Sequence, residues 1–243
     1  MREPPSVDAL FAELMQAGED ARRLRDWLVE RDPDDGVLRP LLRRPVPVRL
    51  LELLAATFPW STRPQVLGGV VLNPRTPRPL ALRLLPSLFW RDLAEVAATP
   101  RVALAVRVHA EAALKERLPE MRLGEKVSLG RIATPPVLAA LLGDVESRVA
   151  RAALVNPRLR EEDLLAAIRL DTVPLALLEA VAESTRWAER YGVKLGLVLQ
   201  ARTPLSVALG QISSLVKRDL ERVAGTPVLS PLVRAAARRV AGS

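Results

Sequence analysis

Residues 70–77 read Val70-Val71-Leu72-Asn73-Pro74-Arg75-Thr76-Pro77, and residues 197–204 read Leu197-Val198-Leu199-Gln200-Ala201-Arg202-Thr203-Pro204. The offset of 127 positions that aligns them aligns a longer stretch as well. Trp60 falls on Trp187, Arg63 on Arg190, Gly69 on Gly196, Ala81-Leu82 on Ala208-Leu209, Arg91-Asp92-Leu93 on Arg218-Asp219-Leu220, and Arg107 on Arg234. Residues 60–113 and 187–240 share 23 identities without a gap, which marks an internal duplication. A looser copy lies between them. Asn156-Pro157-Arg158, within Val149–Leu159, falls on Asn73-Pro74-Arg75 when shifted by 83.

The repeated unit reads as an apolar helix, an Asn-Pro-Arg or Gln-Ala-Arg turn, and a second apolar helix. Asn73 and Asn156 stand where a helix ends and are expected to adopt the left-handed conformation of a C-cap, with Pro74 and Pro157 preventing continuation. Thr76, Thr99, Thr134, Thr203 and Thr226 each precede a proline, a pattern that predicts a threonine N-cap with proline at the first helical position. Thr76 to Thr99 and Thr203 to Thr226 each span 23 residues, room for two short helices and a turn. Leu80, Leu82, Leu84, Leu85 and Leu88, and Leu138, Ala139, Leu141 and Leu142, fall at helical spacing. Strand signals are nearly missing, and Asp35-Gly36 separates helix-like stretches. The chain is expected to be all-α, with roughly a dozen short helices.

The first 59 residues differ in composition. Ser6 is expected to cap a helix reaching about Gln16, Gly18 to interrupt it, and Glu19 to Arg31 to form a second helix with Leu24, Trp27 and Leu28 on one side. Pro33-Asp34-Asp35-Gly36 closes this hairpin. Arg39-Pro40 and Arg44-Pro45-Val46-Pro47 then lead, through a helix over Val48–Thr57, into the repeats. The domain division expected is 1–59 and 60–243, the second part holding the duplication and a looser unit over 144–185. The acidic hairpin suits a polar cap on a repeat array, with dimerisation as its alternative role.

The formal net charge is +8, and it is unevenly spread. Residues 1–60 carry 9 basic and 11 acidic side chains, 61–130 carry 11 and 6, 131–185 carry 6 and 8, and 186–243 carry 10 and 3. The two basic blocks largely coincide with the two copies. Lys115, Lys126, Lys194 and Lys217 are the only lysines, so 32 of the 36 basic residues are arginines, which grip carboxylates and phosphates bidentately. Cysteine is absent and His109 is the single histidine, which excludes disulfides, thiol nucleophiles and Cys/His metal sites. Met1-Arg2-Glu3-Pro4-Pro5 has no apolar segment behind it and does not read as a signal peptide. The longest uncharged stretch, Thr203–Val216, is fourteen residues, short of the roughly 18 that span a bilayer. The sequence therefore predicts a soluble, cytoplasmic protein without membrane association.

The run Asp144-Val145-Glu146-Ser147-Arg148-Val149-Ala150-Arg151-Ala152-Ala153-Leu154-Val155-Asn156-Pro157-Arg158-Leu159, followed by Asp163-Leu164-Leu165, resembles a unit of the HEAT-like and leucine-rich-repeat-variant α-solenoids. The resemblance covers about residues 60–240. It implies helix pairs stacked into a right-handed superhelix that serves as a binding surface. The variant family is associated with a cysteine-ligated iron–sulfur domain, which a chain without cysteine cannot hold.

Catalytic motifs are missing. Gly124-Glu125-Lys126 lacks Walker spacing, Gly68-Gly69 lacks the third glycine of a dinucleotide turn, and no nucleophile elbow occurs. His109 reads as a surface or half-buried histidine, since the duplicate has Ala236 there. Glu161-Glu162-Asp163 reads as the acidic first turn of a helix. Arg91-Asp92 and Arg218-Asp219 read as helix starts or inter-repeat salt bridges, with a functional arginine pair as the alternative. Trp60 and Trp187 read as wedges between hairpins or as stacking platforms. With them, Arg63, Arg75, Arg91 and Arg107 in one copy and Arg190, Arg202, Arg218 and Arg234 in the other form two candidate basic binding stripes. These features fit a non-enzymatic scaffold binding an acidic protein partner, without cofactor or metal. A nucleic-acid binder is the alternative, supported by the basic blocks and opposed by the acidic segments and scarce aromatics. A HEAT-like DNA glycosylase is a third reading by fold analogy alone.

Overall fold

The computed structural model describes residues 6–242, so the expectation on Met1–Pro5 lies outside the described residues. The described chain is all-α, with seventeen α-helices and no strand among the described residues. It divides into two compact units, the first ending at Arg117 and the second beginning at Leu118. The first holds α1 (Val7–Ala17), α2 (Ala21–Arg31), α3 (Asp35–Leu42), α4 (Val48–Ala56), α5 (Pro64–Leu72), α6 (Arg78–Leu84), α7 (Trp90–Ala98) and α8 (Leu104–Arg117). The second holds α9 (Leu123–Ile132), α10 (Pro135–Leu141), α11 (Ser147–Leu154), α12 (Glu161–Ile168), α13 (Leu175–Glu183), α14 (Tyr191–Leu199), α15 (Leu205–Ile212), α16 (Lys217–Ala224) and α17 (Pro231–Ala241). No helix is long and apolar enough to cross a membrane among the described residues.

Helices of 7–14 residues are marginal alone, so packing must hold them. Within each unit a helix packs against its next-but-one neighbour as well as its next. In the first, α1 meets α3, α3 meets α5 and α5 meets α7, while α2 meets α4 and α6 meets α8. In the second, α9, α11 and α13 follow one another, as do α10, α12, α14 and α16, and α15 meets α17. Leucine fills the first core, with Leu24, Leu28, Leu38, Leu51, Leu54 and Leu93 all but inaccessible. Each such side chain contributes roughly 1.5–3 kcal/mol by leaving water. The compact unit runs across residue 59: α3 and α5 share this core.

The N-terminal hairpin forms as its caps predict. The Ser6 hydroxyl accepts the Ala9 N–H at 3.2 Å, Gly18 turns the chain at φ +61°, and the Asp20 carboxylate accepts from Arg22 and Arg23. The stretch after it is a helix rather than a connection. Asp34 caps α3, which runs through Pro40. In so short a helix the proline costs a single intrahelical bond, and Leu38, Leu41 and Leu42 are buried in return.

Three of the five threonines work at the opposite end of the helix from the one predicted. Only Thr134 occupies an N-cap position, with Pro135 at the first helical position, and its hydroxyl makes no capping bond. The Thr99 and Thr226 hydroxyls donate backwards, to the Glu95 carbonyl at 2.6 Å and the Arg222 carbonyl at 2.8 Å, closing α7 and α16. Thr76 donates to the Val70 carbonyl of α5. Pro77 and Pro204 themselves occupy the N-cap positions of α6 and α15, with extended backbone at ψ 134° and 136°, so each helix begins one position later than predicted. The extended backbone that proline imposes on the residue before it overturns the left-handed asparagine. Asn73 is extended, at φ −68° and ψ 131°, and neither asparagine has positive φ.

What the asparagines do instead organises the repeat. The Asn73 side-chain N–H₂ donates to the carbonyls of Leu42 (2.8 Å) and Arg44 (2.6 Å) at the end of α3. Asn156 donates to Gly130 (2.8 Å) and Ala133 (3.2 Å) at the end of α9, and Gln200 to Ile168 (2.6 Å) and Leu170 (3.2 Å) at the end of α12. The amide oxygen accepts the N–H of the arginine two residues on: Arg75 at 3.0 Å, Arg158 at 2.8 Å and Arg202 at 3.2 Å. One side chain thus closes its own turn and satisfies the orphan carbonyls that end the helix two places earlier. These are the only two asparagines in the chain. Glycine lets the tied helices approach. A Cβ on Gly69 would lie 2.8 Å from Leu42 Cδ1, and one on its duplicate Gly196 would lie 3.0 Å from Leu165 Cδ2.

Two predictions follow from this packing. Asn156→Ala strands two buried carbonyls and lowers unfolding stability by about 3 kcal/mol, while Gln200→Ala, nearer the surface, costs about 1 kcal/mol; equal midpoints in urea titration for both variants and the parent would contradict the tie. Gly69→Ala, against a Leu42 that is itself buried, destabilises by about 1–3 kcal/mol. Gly210→Ala, with open space around its Cβ, stabilises by about 0.5–1 kcal/mol, and thermal melts that rank the two the other way would refute the assignment.

Candidate functional site

The ten residues singled out in the sequence fall into three groups. Trp60 and Trp187, immediately before α5 and α14, are buried at 5% and 1% exposure. Their indole N–H groups donate to the backbone carbonyls of Pro33 (3.4 Å) and Leu154 (2.8 Å). Arg186 and Arg190 place their guanidinium groups 4.4 and 5.0 Å from the Trp187 ring centre. Both tryptophans are wedges between helices, and neither presents a ring face to solvent.

Four arginines tie helices to each other. Arg63 pairs with Asp35 at 3.4 Å and Arg190 with Glu161 at 2.8 Å, each acid being the first residue of its helix, where the dipole favours negative charge. Arg75 reaches the Glu19 carboxylate at 3.0 Å, and Arg202 reaches the Asp171 carbonyl at 3.2 Å. Arg158 does the same in the looser copy, donating to the Ile132 carbonyl at 2.7 Å. Arg107 and Arg234, on α8 and α17, are half-buried, and each encloses an Nε without a hydrogen-bond partner.

Arg91 and Arg218 remain. Both are exposed on the second residue of their helices, α7 and α16, and neither enters an ion pair among the described residues. Arg91 lies 5.2 Å from the centre of the Trp90 ring. Two residues before each arginine stands an apolar side chain turned outward, Phe89 at 62% and Val216 at 55% exposure. The Phe89-Trp90-Arg91 patch escaped the sequence reading. Its signal was there: two adjacent aromatics at a helix start, Phe89 at the N-cap and Trp90 first in the helix, cannot both face one core, and the chain has only eight aromatics.

The aspartates that follow these arginines in sequence, Asp92 and Asp219, are helix-start residues. Asp219 takes the Tyr191 hydroxyl, whose oxygen accepts the Val216 N–H at 3.2 Å; this bond to Asp219 raises the Tyr191 pKa. Asp92 lies under α5, where a Cβ on Gly68 would meet its Oδ1 at 3.2 Å. Burial pushes its carboxyl above the ordinary aspartate range, with Glu95 adding to the rise and the Phe89 N–H and Arg39 opposing it. Glu161, Glu162 and Asp163 occupy the first turn of α12 as read from sequence. His109 is exposed on α8, its Nδ1 2.7 Å from the Ala105 carbonyl. Among the described residues no group of three or more Asp, Glu or His is placed to hold a metal ion. Comparison with family models, with curated proteins and with solved structures gives no match.

Two carboxylates of the first unit carry opposite pH dependence. Burial alone would raise Glu19, but the N–H groups of Arg49 (2.8 Å) and Val48 (3.0 Å) and the Arg75 guanidinium outweigh it and hold the carboxyl below the ordinary glutamate range. A lowered acid contributes stability above its unfolded pKa of about 4.3 and loses it as pH falls. Asp92, raised, binds its proton more tightly folded than unfolded, so its contribution falls as pH rises above about 3.9. Denaturation midpoints between pH 3 and 7 check both signs. Glu19→Gln falls furthest below the parent at neutral pH and converges with it in acid, whereas Asp92→Asn gains on the parent as pH rises. Parallel profiles for all three proteins would contradict the assignment.

Proposed function

We propose that the chain is a right-handed α-solenoid of the HEAT-like, leucine-rich-repeat-variant kind, acting as a non-enzymatic scaffold that binds an acidic protein partner. Next-but-one helix packing and the thrice-used amide tie support the repeat architecture. The acidic α1–α2 hairpin serves as its cap, fastened by Glu19 to Val48, Arg49 and Arg75. The observation that carries the binding reading is duplication at the surface. Arg91 and Arg218 are exposed and unpaired, each beside an exposed apolar residue, at the same helix start in both copies. An apolar anchor next to a free guanidinium suits a carboxylate-bearing segment with apolar side chains.

The second reading, nucleic acid, draws on the exposed Lys217, Arg218, Arg222, Arg238 and Arg239 of α16 and α17, against Asp219 and Glu221. Anisotropy of labelled Glu-rich, Leu-containing peptide, duplex DNA and single-stranded RNA across about 50 to 200 mM salt separates the two. The scaffold reading expects peptide binding that the Arg91→Ala/Arg218→Ala double variant weakens about 10-fold. Absence of peptide binding, with nucleic-acid affinity falling by about 10³ across that range, would overturn it.

A further inference from the structure

Between α12, α14 and α16 the second unit carries a groove of about 350 Å³, at the small end of ligand pockets and large enough for one or two apolar side chains. Leu165, Leu195, Leu199 and Val228 give it apolar walls, and Gly192 and Gly196 line its α14 side, where Cβ atoms would meet the Glu161 carboxylate at 2.8 Å and Leu165 at 3.0 Å. Arg169 and Arg222 stand at the groove, both exposed and neither in a side-chain hydrogen bond or ion pair among the described residues. Asp171 is the one acidic residue lining it. The Gln200 amide is spent on the Ile168 and Leu170 carbonyls, so the two guanidinium groups are the charged donors left to a ligand.

The duplication separates what the repeat needs from what this groove adds. Residues that hold the helices together recur: Trp60 and Trp187, Arg63 and Arg190, Gly69 and Gly196, Arg75 and Arg202. Four of the groove residues do not. Gly192 stands where the first copy has Gln65, Leu195 where it has Gly68, Arg222 where it has Glu95, and Val228 where it has Arg101. The first copy thus has a glutamine in place of the glycine at 192, reverses the charge at 222 and puts a charge on the apolar wall at 228. Val228 is 70% exposed, so its apolar character answers no demand of the core.

We infer that this groove, in the second copy alone, docks an acidic segment of the protein partner, seating an apolar side chain between α12 and α14 while Arg169 and Arg222 take the flanking carboxylates. The inference rests on the acidic-partner reading above and adds to the duplicated helix starts a second surface with one pattern, an apolar residue bracketed by acids. Charge complementarity selects the occupant, because bidentate guanidinium groups reward carboxylates planted beside an apolar anchor.

The test uses the full chain and a fluorescein-labelled peptide Glu-Glu-Leu-Phe-Glu-Glu, with Ser-Ser replacing Leu-Phe in a control peptide. The parent is expected to prefer the Leu-Phe peptide by about 10-fold or more. Arg222→Glu and Val228→Arg, which restore the first copy's residues at exposed positions, are each expected to weaken it by about 10-fold, and Arg169→Ala to weaken it severalfold. Arg83→Ala, at an exposed arginine of α6 that does not line the groove, leaves this affinity unchanged. Parent-like binding by the Arg222→Glu and Val228→Arg variants, with loss in the Arg91→Ala/Arg218→Ala double variant, would overturn the groove and spare the acidic-partner reading. Failure of the parent to bind either peptide, with salt-sensitive binding of duplex DNA, would overturn both.

Discussion

A helix that ends inside a protein leaves carbonyls without donors, and in this chain the side-chain amide of a turn two helices later supplies them. Asn73, Asn156 and Gln200 each place two donors on such carbonyls and one acceptor on their own turn. Helices of seven to fourteen residues have little stability of their own. The amide sets which helix end lies beside which turn, and the small residue at 69 or 196 sets how closely the helices lie. Burial of leucine supplies most of the energy, but it is non-directional; the amide gives it a register.

The same logic redistributes the charge. A net charge of +8 with 32 arginines suggests a basic surface, yet Arg63, Arg75, Arg158, Arg190 and Arg202 each reach back to an earlier helix end or helix start. A planar guanidinium on a long stem spans that distance and satisfies carboxylate or carbonyl alike. Others stay exposed without an ion pair among the described residues, including Arg25, Arg78, Arg83, Arg91, Arg101, Arg148, Arg169, Arg218 and Arg222.

The all-α class, the duplication and the turns were readable because helical periodicity and proline stops are local signals. The opposite use of threonine was not: a hydroxyl before proline can serve the helix behind it or the one ahead, and only the three-dimensional path decides. The α3 helix was hidden by Pro40, whose cost in a short helix is outweighed by three buried leucines. At the surface, sequence marked the recurring arginines without showing that recurrence here tracks structure. The residues that differ between copies, Gly192, Arg222 and Val228, carry the groove inference, and they gain meaning only once the structure places them on one groove.

That amide tie is open to direct observation, because Asn73 and Asn156 are the only asparagines in the chain. With ¹⁵N label confined to asparagine, two side-chain N–H₂ groups report on two repeats, and Gln16 in a second sample supplies an unbound reference. The account predicts that both asparagine groups exchange with solvent about 100-fold or more slowly than the reference, since opening them requires breaking buried hydrogen bonds. Exchange at the reference rate for both would mean that the amides do not hold the helix ends, and the central claim would fall.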